Sequence, residues 1–147
     1  MIFLGADHNG NELKSEVSQY LVKSGYEVSD QGDTKLDLND DFPVFASRVV
    51  NALKSSSSDY NYGILICGSG QGMCIAANRY KGIRAALCWN AVEARAARND
   101  DNCNVLCLSA RSTSPKEAET IINAWLNTAY AAAPRFNRRI KELDDLV

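Results

Sequence analysis

Short apolar segments alternate with amphipathic segments along almost the whole chain, and this alternation restricts the fold more than any other feature. Strands are predicted over residues 1–6, 26–29, 62–66, 83–87 and 104–108. The segments between them carry apolar residues at helical spacing, as at Leu13, Val17 and Leu21. Such alternation is typical of a parallel sheet covered by helices on both faces. We therefore predict a single α/β domain over residues 1–147, with a three-layer Rossmann-like (flavodoxin-like) five-stranded parallel sheet.

The carboxyl ends of the first and third strands form the predicted ligand site. Five parallel strands favour the flavodoxin-like order 2-1-3-4-5, and in that order the ligand crevice opens between these two ends. The first strand is followed by Asp7-His8 and the third by Cys67-Gly68-Ser69. The most reactive side chains of the sequence therefore fall where the topology places an active site.

The composition argues against several classes of protein. A formal net charge of −2 provides no general attraction to nucleic acid or lipid. No apolar run approaches the length of a membrane span, and the first residues lack the features of a signal peptide, so we expect a cytoplasmic protein. Five cysteines and one histidine provide neither a disulfide scaffold nor a zinc site. We interpret four of the five cysteines as small core residues.

Cys67 differs from the other cysteines because it ends a strand and precedes a helix. A helix N-terminus favours a thiolate, and the Ser69 hydroxyl is placed to hydrogen-bond the sulfur. Gly68, Gly70 and Gly72 let the backbone approach a ligand and direct amides at an oxyanion. An isomerase needs a base for the proton on carbon 2 of an open-chain aldose, and donors for the enediolate. The alternative is that Cys67 is only the last core residue of a buried strand.

The glycine turn over residues 68–72 is a weak signal by itself. It lacks the Lys-Ser/Thr ending of a P-loop, and its G-x-G-x-G spacing differs from the dinucleotide-binding pattern. Nucleotide binding is therefore the less favoured interpretation.

Charged residues around this turn and near the C-terminus are candidates for substrate binding. His8 is the only histidine, and its place at a strand end favours a functional role over a structural one. Asp7 is predicted to orient His8, to act on a ring oxygen or to cap the following helix. Arg135 and Arg139 share a helical face that suits a phosphate, and Arg111 is a further candidate. The alternative for the C-terminal arginines is a solvated face paired with nearby carboxylates.

Six motifs stand in order between Met1 and about Ile140. They are Gly5-Ala-Asp-His8, Asp41-Phe-Pro43, Gly63-Ile-Leu-Ile-Cys-Gly-Ser-Gly70, Ile75-Ala-Ala-Asn-Arg79, Gly82-Ile-Arg-Ala-Ala86 and Asn104-Val-Leu106. Together they resemble the family of type B ribose-5-phosphate isomerases and galactose-6-phosphate isomerases. The I-C-G-S-G turn followed by I-A-A-N is a specific signature of that family.

The resemblance implies roles for the residues of the turn. It implies that Cys67 is the base that moves the proton and that Ser69 supports it. The amides of Gly68, Gly70 and Gly72 would stabilise the enediolate.

The resemblance also implies the substrate contacts and the assembly. Asp7 and His8 would contact the sugar phosphate, and Arg111, Arg135 and Arg139 would hold its phosphate. No metal or organic cofactor is implied. The family works as a homodimer, sometimes paired into tetramers, with active sites shared between chains, and the C-terminal helix over about 134–145 would pack at the dimer interface.

Four residues depart from the family pattern. Asp100 stands where the family has the histidine that assists ring opening, and Asp101 replaces the asparagine that follows. We assign Asp100 to catalysis, because a carboxylate can do acid–base work, and Asp101 to substrate binding. Phe42 replaces a tyrosine of the sugar site, and Phe136 replaces a histidine among the phosphate donors.

These departures leave three hypotheses. The first is an isomerase of ribose 5-phosphate and ribulose 5-phosphate, with a six-carbon substrate such as allose or galactose 6-phosphate as its variant. The second is a sugar-phosphate or nucleotide-binding module without catalysis. The third, a redox-active cysteine protein, is disfavoured because no C-x-x-C pair includes Cys67.

Overall fold

The computed structural model describes residues 1–33, 35–58 and 60–147, and its helices and strands alternate as predicted. The strands are β1 (Ile2–Ala6), β2 (Val28–Asp30), β3 (Tyr62–Cys67), β4 (Ala85–Leu87) and β5 (Val105–Ser109). The helices are α1 (Asn11–Lys23), α2 (Phe42–Ser55), α3 (Gln71–Ala77), α4 (Ala91–Asp101), α5 (Pro115–Leu126) and α6 (Pro134–Asp144). The polar loop predicted over 31–41 precedes α2, and its Thr34 lies outside the described residues.

The five strands form one parallel sheet, which confirms the predicted fold class. The strand order is β2-β1-β3-β5-β4, so the predicted order 2-1-3-4-5 is wrong for its last two strands. Burial explains the difference. The first four residues of β5 are buried, whereas the three residues of β4 are only half-buried. A long apolar strand takes the interior position of a parallel sheet, and a short one can occupy its edge.

The central strands divide their side chains between two helical layers. Ile64 and Ile66 of β3 pack into a core shared with α1, α4 and α5. Leu65 and Cys67 point to the other face, where α2 and α3 lie. This alternation follows from the two-residue period of a strand. It directs the Cys67 side chain toward the layer that contains the glycine turn and the start of α2.

Local sequence signals explain how two of the helices begin. Ser114 and Glu117 form a capping box at α5, in which each side chain bonds the other residue's backbone N–H, and Pro115 takes the first helical position. The Asn90 side chain accepts a hydrogen bond from the Glu93 N–H at the start of α4. Among the described residues, no helix has the length and apolar character needed to cross a membrane.

Candidate active site

The loops after β1 and β3 are in direct contact at the carboxyl edge of the sheet. Ala6 pairs with Ile66, and the Asp7 N–H donates to the Ile66 carbonyl over 3.3 Å. A Cβ atom at Gly10 would lie 2.5 Å from that same carbonyl oxygen, so only glycine permits this approach. The parallel register therefore brings the Asp-His and Cys-Gly-Ser segments together, as the sequence predicted.

Cys67 ends β3 with its side chain in the core and its sulfur at the base of the glycine turn. The residue is 5% exposed, and the Gly70 N–H donates to Sγ over 3.1 Å. The Ser69 hydroxyl, which was predicted to bond the sulfur, accepts from the Gln71 N–H over 3.3 Å instead. The turn therefore supplies the sulfur with a backbone donor. This contact fixes the position of the sulfur within the turn.

Gly70 is the glycine of the turn whose conformation the structure requires most strictly. Its φ of +74° is disfavoured for other residues, and a Cβ there would lie 2.5 Å from Leu87 Cδ1 and 2.9 Å from the Leu108 backbone. Gly72 is covered by the ring of Phe42, since a Cβ would lie 2.9 Å from the Phe42 Cζ. The turn is thus packed between β4, β5 and the first residue of α2.

Arg111 lies beside the same turn because β5 pairs directly with β3. Ser109 is the register partner of Cys67, and the Arg111 N–H donates to the Gly68 carbonyl over 3.0 Å. A Cβ at Gly68 would lie 3.2 Å from Arg111 Nη2, so the guanidinium faces the turn. The corrected strand order therefore places this arginine next to the cysteine.

Asp7 and His8 hold the other side of the crevice. Asp7 is buried, and its Oδ1 accepts a hydrogen bond from the Gly10 N–H over 3.1 Å. His8 Nδ1 lies 2.6 Å from Asp40 Oδ1, and the His8 backbone N–H donates to the same oxygen over 3.1 Å. The hydrogen bond with Asp40 raises the pKa of His8 above its usual 6.5, and burial opposes this. His8 is thereby biased toward the imidazolium, which can bind an anion.

One group of the described residues has donor atoms close enough together to hold a metal ion. The donor atoms of Asp7, His8 and Asp40 all lie within 4.8 Å of one another. The Asp7 oxygen already accepts from the Gly10 amide, and His8 Nδ1 already contacts Asp40. Internal contacts thus explain the grouping, and we assign no metal to it.

The remaining predicted residues lie together at a different place. Asp100 Oδ1 accepts from Asn99 Nδ2 over 2.7 Å near the end of α4. Burial, followed by the charge of Asp100, raises the pKa of Asp101, and the charges of Arg139 and Arg84 oppose this. α6 packs on α4, and Arg135 lies over the Phe136 ring, with 4.6 Å between Cζ and the ring centroid.

This second group lies at the amino edge of the sheet, opposite Cys67. Arg84 Nε donates to the Asp101 carbonyl over 3.0 Å, and the Arg84 N–H donates to Asn104 Oδ1 over 2.9 Å, just before β5 begins. Cys67 pairs with Ser109 at the other end of β5. Five residues at ~3.3 Å each separate the two edges by about 16 Å. Within one chain, Asp100, Asp101 and Arg139 therefore lie away from the cysteine, and Arg135 belongs to the same helix as Arg139.

The other four cysteines divide into core residues and one exception. Burial raises the pKa of Cys88 to about 12 and that of Cys103 to about 12. Cys107 is buried and its pKa is raised, first by its hydrogen bond with Cys74 and then by burial. Cys74 is half-buried, and the same hydrogen bond lowers its pKa to about 7. Cys74 Sγ also donates to the Ala85 carbonyl over 3.3 Å, a contact that only the protonated thiol can make.

Three residues of this site were not predicted as site residues from the sequence. Asp40 pairs with His8, Asn9 Nδ2 lies 2.9 Å from His8 Nε2, and the Ser109 hydroxyl donates to the Gly68 carbonyl over 3.0 Å. Asn9 stands beside His8 in the sequence and Ser109 follows a predicted strand, so position provided a signal for both. Asp40 lies in a loop with several acidic residues, and nothing in the sequence distinguishes it from Asp37 or Asp41.

Comparison with known proteins identifies the family. The model of the ribose/galactose isomerase family matches residues 2–143. The chain belongs to this family. The family predicted from the sequence motifs is thereby confirmed, and with it the prediction of an isomerase.

Individual relatives agree over nearly the full chain. A probable ribose-5-phosphate isomerase B of Mycoplasma genitalium is 42% identical over 142 residues, which cover 97% of this chain and 92% of that protein. The crystal structure of ribose-5-phosphate isomerase B from Mycoplasma genitalium with bound ribulose 5-phosphate matches this structure with a TM-score of 0.93 and 41% identity, covering 99% of this chain and 94% of that chain. A D-erythrulose-4-phosphate isomerase of Pectobacterium atrosepticum is 36% identical over 140 residues, covering 93% of this chain and 91% of that protein.

Proposed function

We propose that this protein interconverts ribose 5-phosphate and ribulose 5-phosphate through an enediolate, with Cys67 as the base. The observation that carries the proposal is the environment of the Cys67 sulfur. It is held at the carboxyl edge of the sheet by the Gly70 amide, between the loop of Asp7 and His8 and the side chain of Arg111. A positioned base and backbone donors are the parts that proton transfer next to a carbonyl requires.

The proposed reaction moves protons within one substrate molecule. Cys67 removes the proton from carbon 2 of the open-chain aldose, and the carbon–carbon double bond of the enediolate forms. The amides of the turn, including those of Gly68 and Gly72, stabilise the negative oxygen. The proton on Cys67 returns to carbon 1 while the hydroxyl proton of oxygen 2 is transferred to oxygen 1, so that a carbonyl forms at carbon 2 and a hydroxyl at carbon 1. The rearrangement is redox-neutral overall and needs no external electron carrier, so we propose that the protein works without a cofactor.

The substrate contacts divide between the two loops. Asp7 faces the reacting end of the sugar, where it can orient a hydroxyl or the ring oxygen, and Ser69 supports the glycine turn. His8 and Arg111 attract the phosphate by charge, because imidazolium and guanidinium donors form strong hydrogen bonds to phosphate oxygens.

We further propose that each site is completed by a second copy of the chain. Asp100, Asp101 and Arg139 interact near the amino edge of the sheet, which one strand length of about 16 Å separates from the Cys67 edge, and Arg135 lies on the same helix as Arg139. A two-fold dimer whose α6 packs at the interface presents this edge of one copy to the Cys67 edge of the other. Arg135 and Arg139 then add to the phosphate site, Asp100 acts in ring opening and Asp101 binds the sugar. We place this homodimer in the cytoplasm, because all five thiols are free and a phosphorylated sugar is an intracellular metabolite.

The substrate length is the part of the proposal that the relatives leave open. One relative is named for a four-carbon and another for a five-carbon sugar phosphate. The Phe42 ring covers Gly72 at 37% exposure and offers no hydroxyl to a substrate. A five-carbon substrate is favoured by the relative that carries ribulose 5-phosphate at 41% identity.

The test is turnover of ribulose 5-phosphate and, in reverse, of ribose 5-phosphate, with reduced protein. Ribulose 5-phosphate cannot close a furanose ring, so it tests proton transfer separately from ring opening. Turnover in both directions is expected, at a higher kcat/KM than with erythrulose 4-phosphate, allose 6-phosphate or galactose 6-phosphate. If only a six-carbon sugar phosphate is turned over, that sugar replaces ribose 5-phosphate as the proposed substrate. If the sugar phosphates bind but none is turned over, the protein is a binding module and not an isomerase.

A further inference from the structure

The pairing of His8 with Asp40 is a feature that the proposed reaction does not by itself explain. One oxygen of Asp40 contacts both the backbone N–H of His8, over 3.1 Å, and its ring Nδ1, over 2.6 Å. The Asp40 side chain is 11% exposed and that of His8 26% exposed. Two bonds to one acceptor fix both the backbone and the ring orientation of His8.

The second ring nitrogen of His8 contacts Asn9, which in turn lies beside the glycine turn. His8 Nε2 lies 2.9 Å from Asn9 Nδ2. The Asn9 Cβ and Cγ atoms lie 3.6 Å from the position that a Cβ of Gly68 would occupy. A chain of contacts thus runs from Asp40 through His8 and Asn9 to the glycine turn.

The protonation state of the ring decides what this chain can bind. When Nδ1 donates to Asp40 and the ring is neutral, Nε2 accepts from the Asn9 amide. When the ring is charged, Nε2 carries a proton and becomes a donor, so that an anion can replace the Asn9 amide as its partner. A carboxylate bonded to Nδ1 stabilises the charged state.

Other charged side chains also lie around His8. Asp7 and Asp37 add to the effect of Asp40 on the pKa of His8. Asp33 and Lys35 line the small cavity that His8 shares with Asp40, and Asp33 is paired with Arg48 over 2.6 Å. Asp40 is the carboxylate that makes a hydrogen bond to the ring, so its removal has the largest expected effect.

We propose that Asp40 is a positioning residue that holds His8 in one orientation and in its charged form, with Nε2 available to the anionic group of the substrate. The identity of that group as a sugar phosphate rests on the proposed function. The pairing itself, and the binding of a dianion by the charged ring, do not depend on turnover.

The test compares Asp40→Asn with Asp37→Asn as its matched control. Both changes remove one negative charge near His8, but only Asp40 bonds the ring. Because His8 is the only histidine, its Cε1–H resonance gives one unambiguous NMR titration curve. We expect the midpoint to lie above 6.5 in the wild type, to fall clearly in Asp40→Asn and to change little in Asp37→Asn.

Sulfate serves as the dianion, because it does not titrate between pH 5 and 9. The His8 resonance should shift as sulfate is added. At a pH between the two His8 midpoints, Asp40→Asn should need a roughly fivefold higher sulfate concentration than the wild type to saturate this shift. The two proteins should bind alike at a pH low enough to charge both rings. With the sugar substrate, KM should rise in the same pH range while kcat changes less.

Three results would overturn the proposal. Equal His8 midpoints in the wild type and Asp40→Asn would show that Asp40 does not stabilise the charged ring. If the His8 midpoint fell equally in Asp40→Asn and Asp37→Asn, the effect of Asp40 would be that of any nearby negative charge. A fall confined to Asp40→Asn without a change in sulfate affinity would leave His8 without an anion-binding role. Absence of sugar turnover would reject the proposed function alone, since none of these three readings uses turnover.

Discussion

The two edges of the sheet carry the two halves of the predicted site, and they are built differently. At the carboxyl edge, strand register alone joins Cys67, Asp7 and the loop of Arg111 through backbone hydrogen bonds. At the amino edge, Asp101 and Arg139 interact through charge at the surface, on helices that end there. One half of the site is therefore fixed by the fold of one chain, whereas the other half would take part only in the proposed dimer, at the site of a second molecule.

Removal of the proposed base at the carboxyl edge has the largest expected effect. Cys67→Ala should lower kcat for ribulose 5-phosphate by roughly 10³-fold, because it deletes the group that takes the proton. Binding of the sugar phosphate should remain nearly unchanged, since phosphate contacts are made by other residues. The matched control is Cys103→Ala, a buried cysteine at the amino edge, which should keep its turnover. Full activity of Cys67→Ala in a steady-state assay would assign the base elsewhere.

Alanine substitutions at Gly25 and Gly70 separate the cost of backbone strain from the cost of a steric overlap. Gly25 and Gly70 both have positive φ, but a Cβ at Gly25 meets nothing within 4 Å. Gly25→Ala should lower the free energy of unfolding by about 1 kcal/mol, from the left-handed conformation alone. Gly70→Ala should cost roughly 1–3 kcal/mol more, because its Cβ overlaps Leu87 and the Leu108 backbone.

Urea denaturation of the two glycine variants measures this difference. Turnover should fall in Gly70→Ala and persist in Gly25→Ala, because only Gly70 donates to the Cys67 sulfur. Equal losses of stability in the two variants would show that the turn can relax around the added methyl group.

The smallest expected effect is a difference in thiol labelling. At pH 7.5, iodoacetamide should modify Cys74, whose pKa is lowered to about 7, well before Cys103, whose pKa burial raises to about 12. The thiolate is the reactive form, and Cys74 is also more exposed. Peptide mass spectrometry of the folded protein measures both rates. Equal labelling of the two would mean that the bond from Cys74 to the Ala85 carbonyl keeps the thiol protonated.

Local signals in the sequence predicted most of the fold. Alternating apolar segments located all five strands, and Pro115 and Pro134 marked the starts of α5 and α6. The order of β4 and β5 could not be read from the same signals, because it depends on which strand is better buried. Both segments are apolar in sequence, and only packing shows that β5 occupies the interior position.

The candidate site was predictable where residues are neighbours along a strand end. The sequence predicted in this way that Asp7, His8, Cys67 and the glycines lie at the same edge of the sheet, and the structure places them there. Asp40 was not, because its bond to His8 joins residues 32 positions apart across a polar loop. The donor to the Cys67 sulfur was also misassigned, since a φ of +74° at Gly70 turns its amide, and not the Ser69 hydroxyl, toward Sγ.

The most direct test of the account mixes two variants that are each damaged at one edge. Cys67→Ala lacks the proposed base, and the double variant Arg135→Ala/Arg139→Ala lacks the proposed phosphate donors of the amino edge. If sites are shared, half of the randomly mixed dimers carry one intact site, and an equal mixture refolded together should regain about a quarter of wild-type turnover. Activity no higher than the sum of the separate variants, with mixed dimers present by native mass spectrometry, would contradict a site built from two chains.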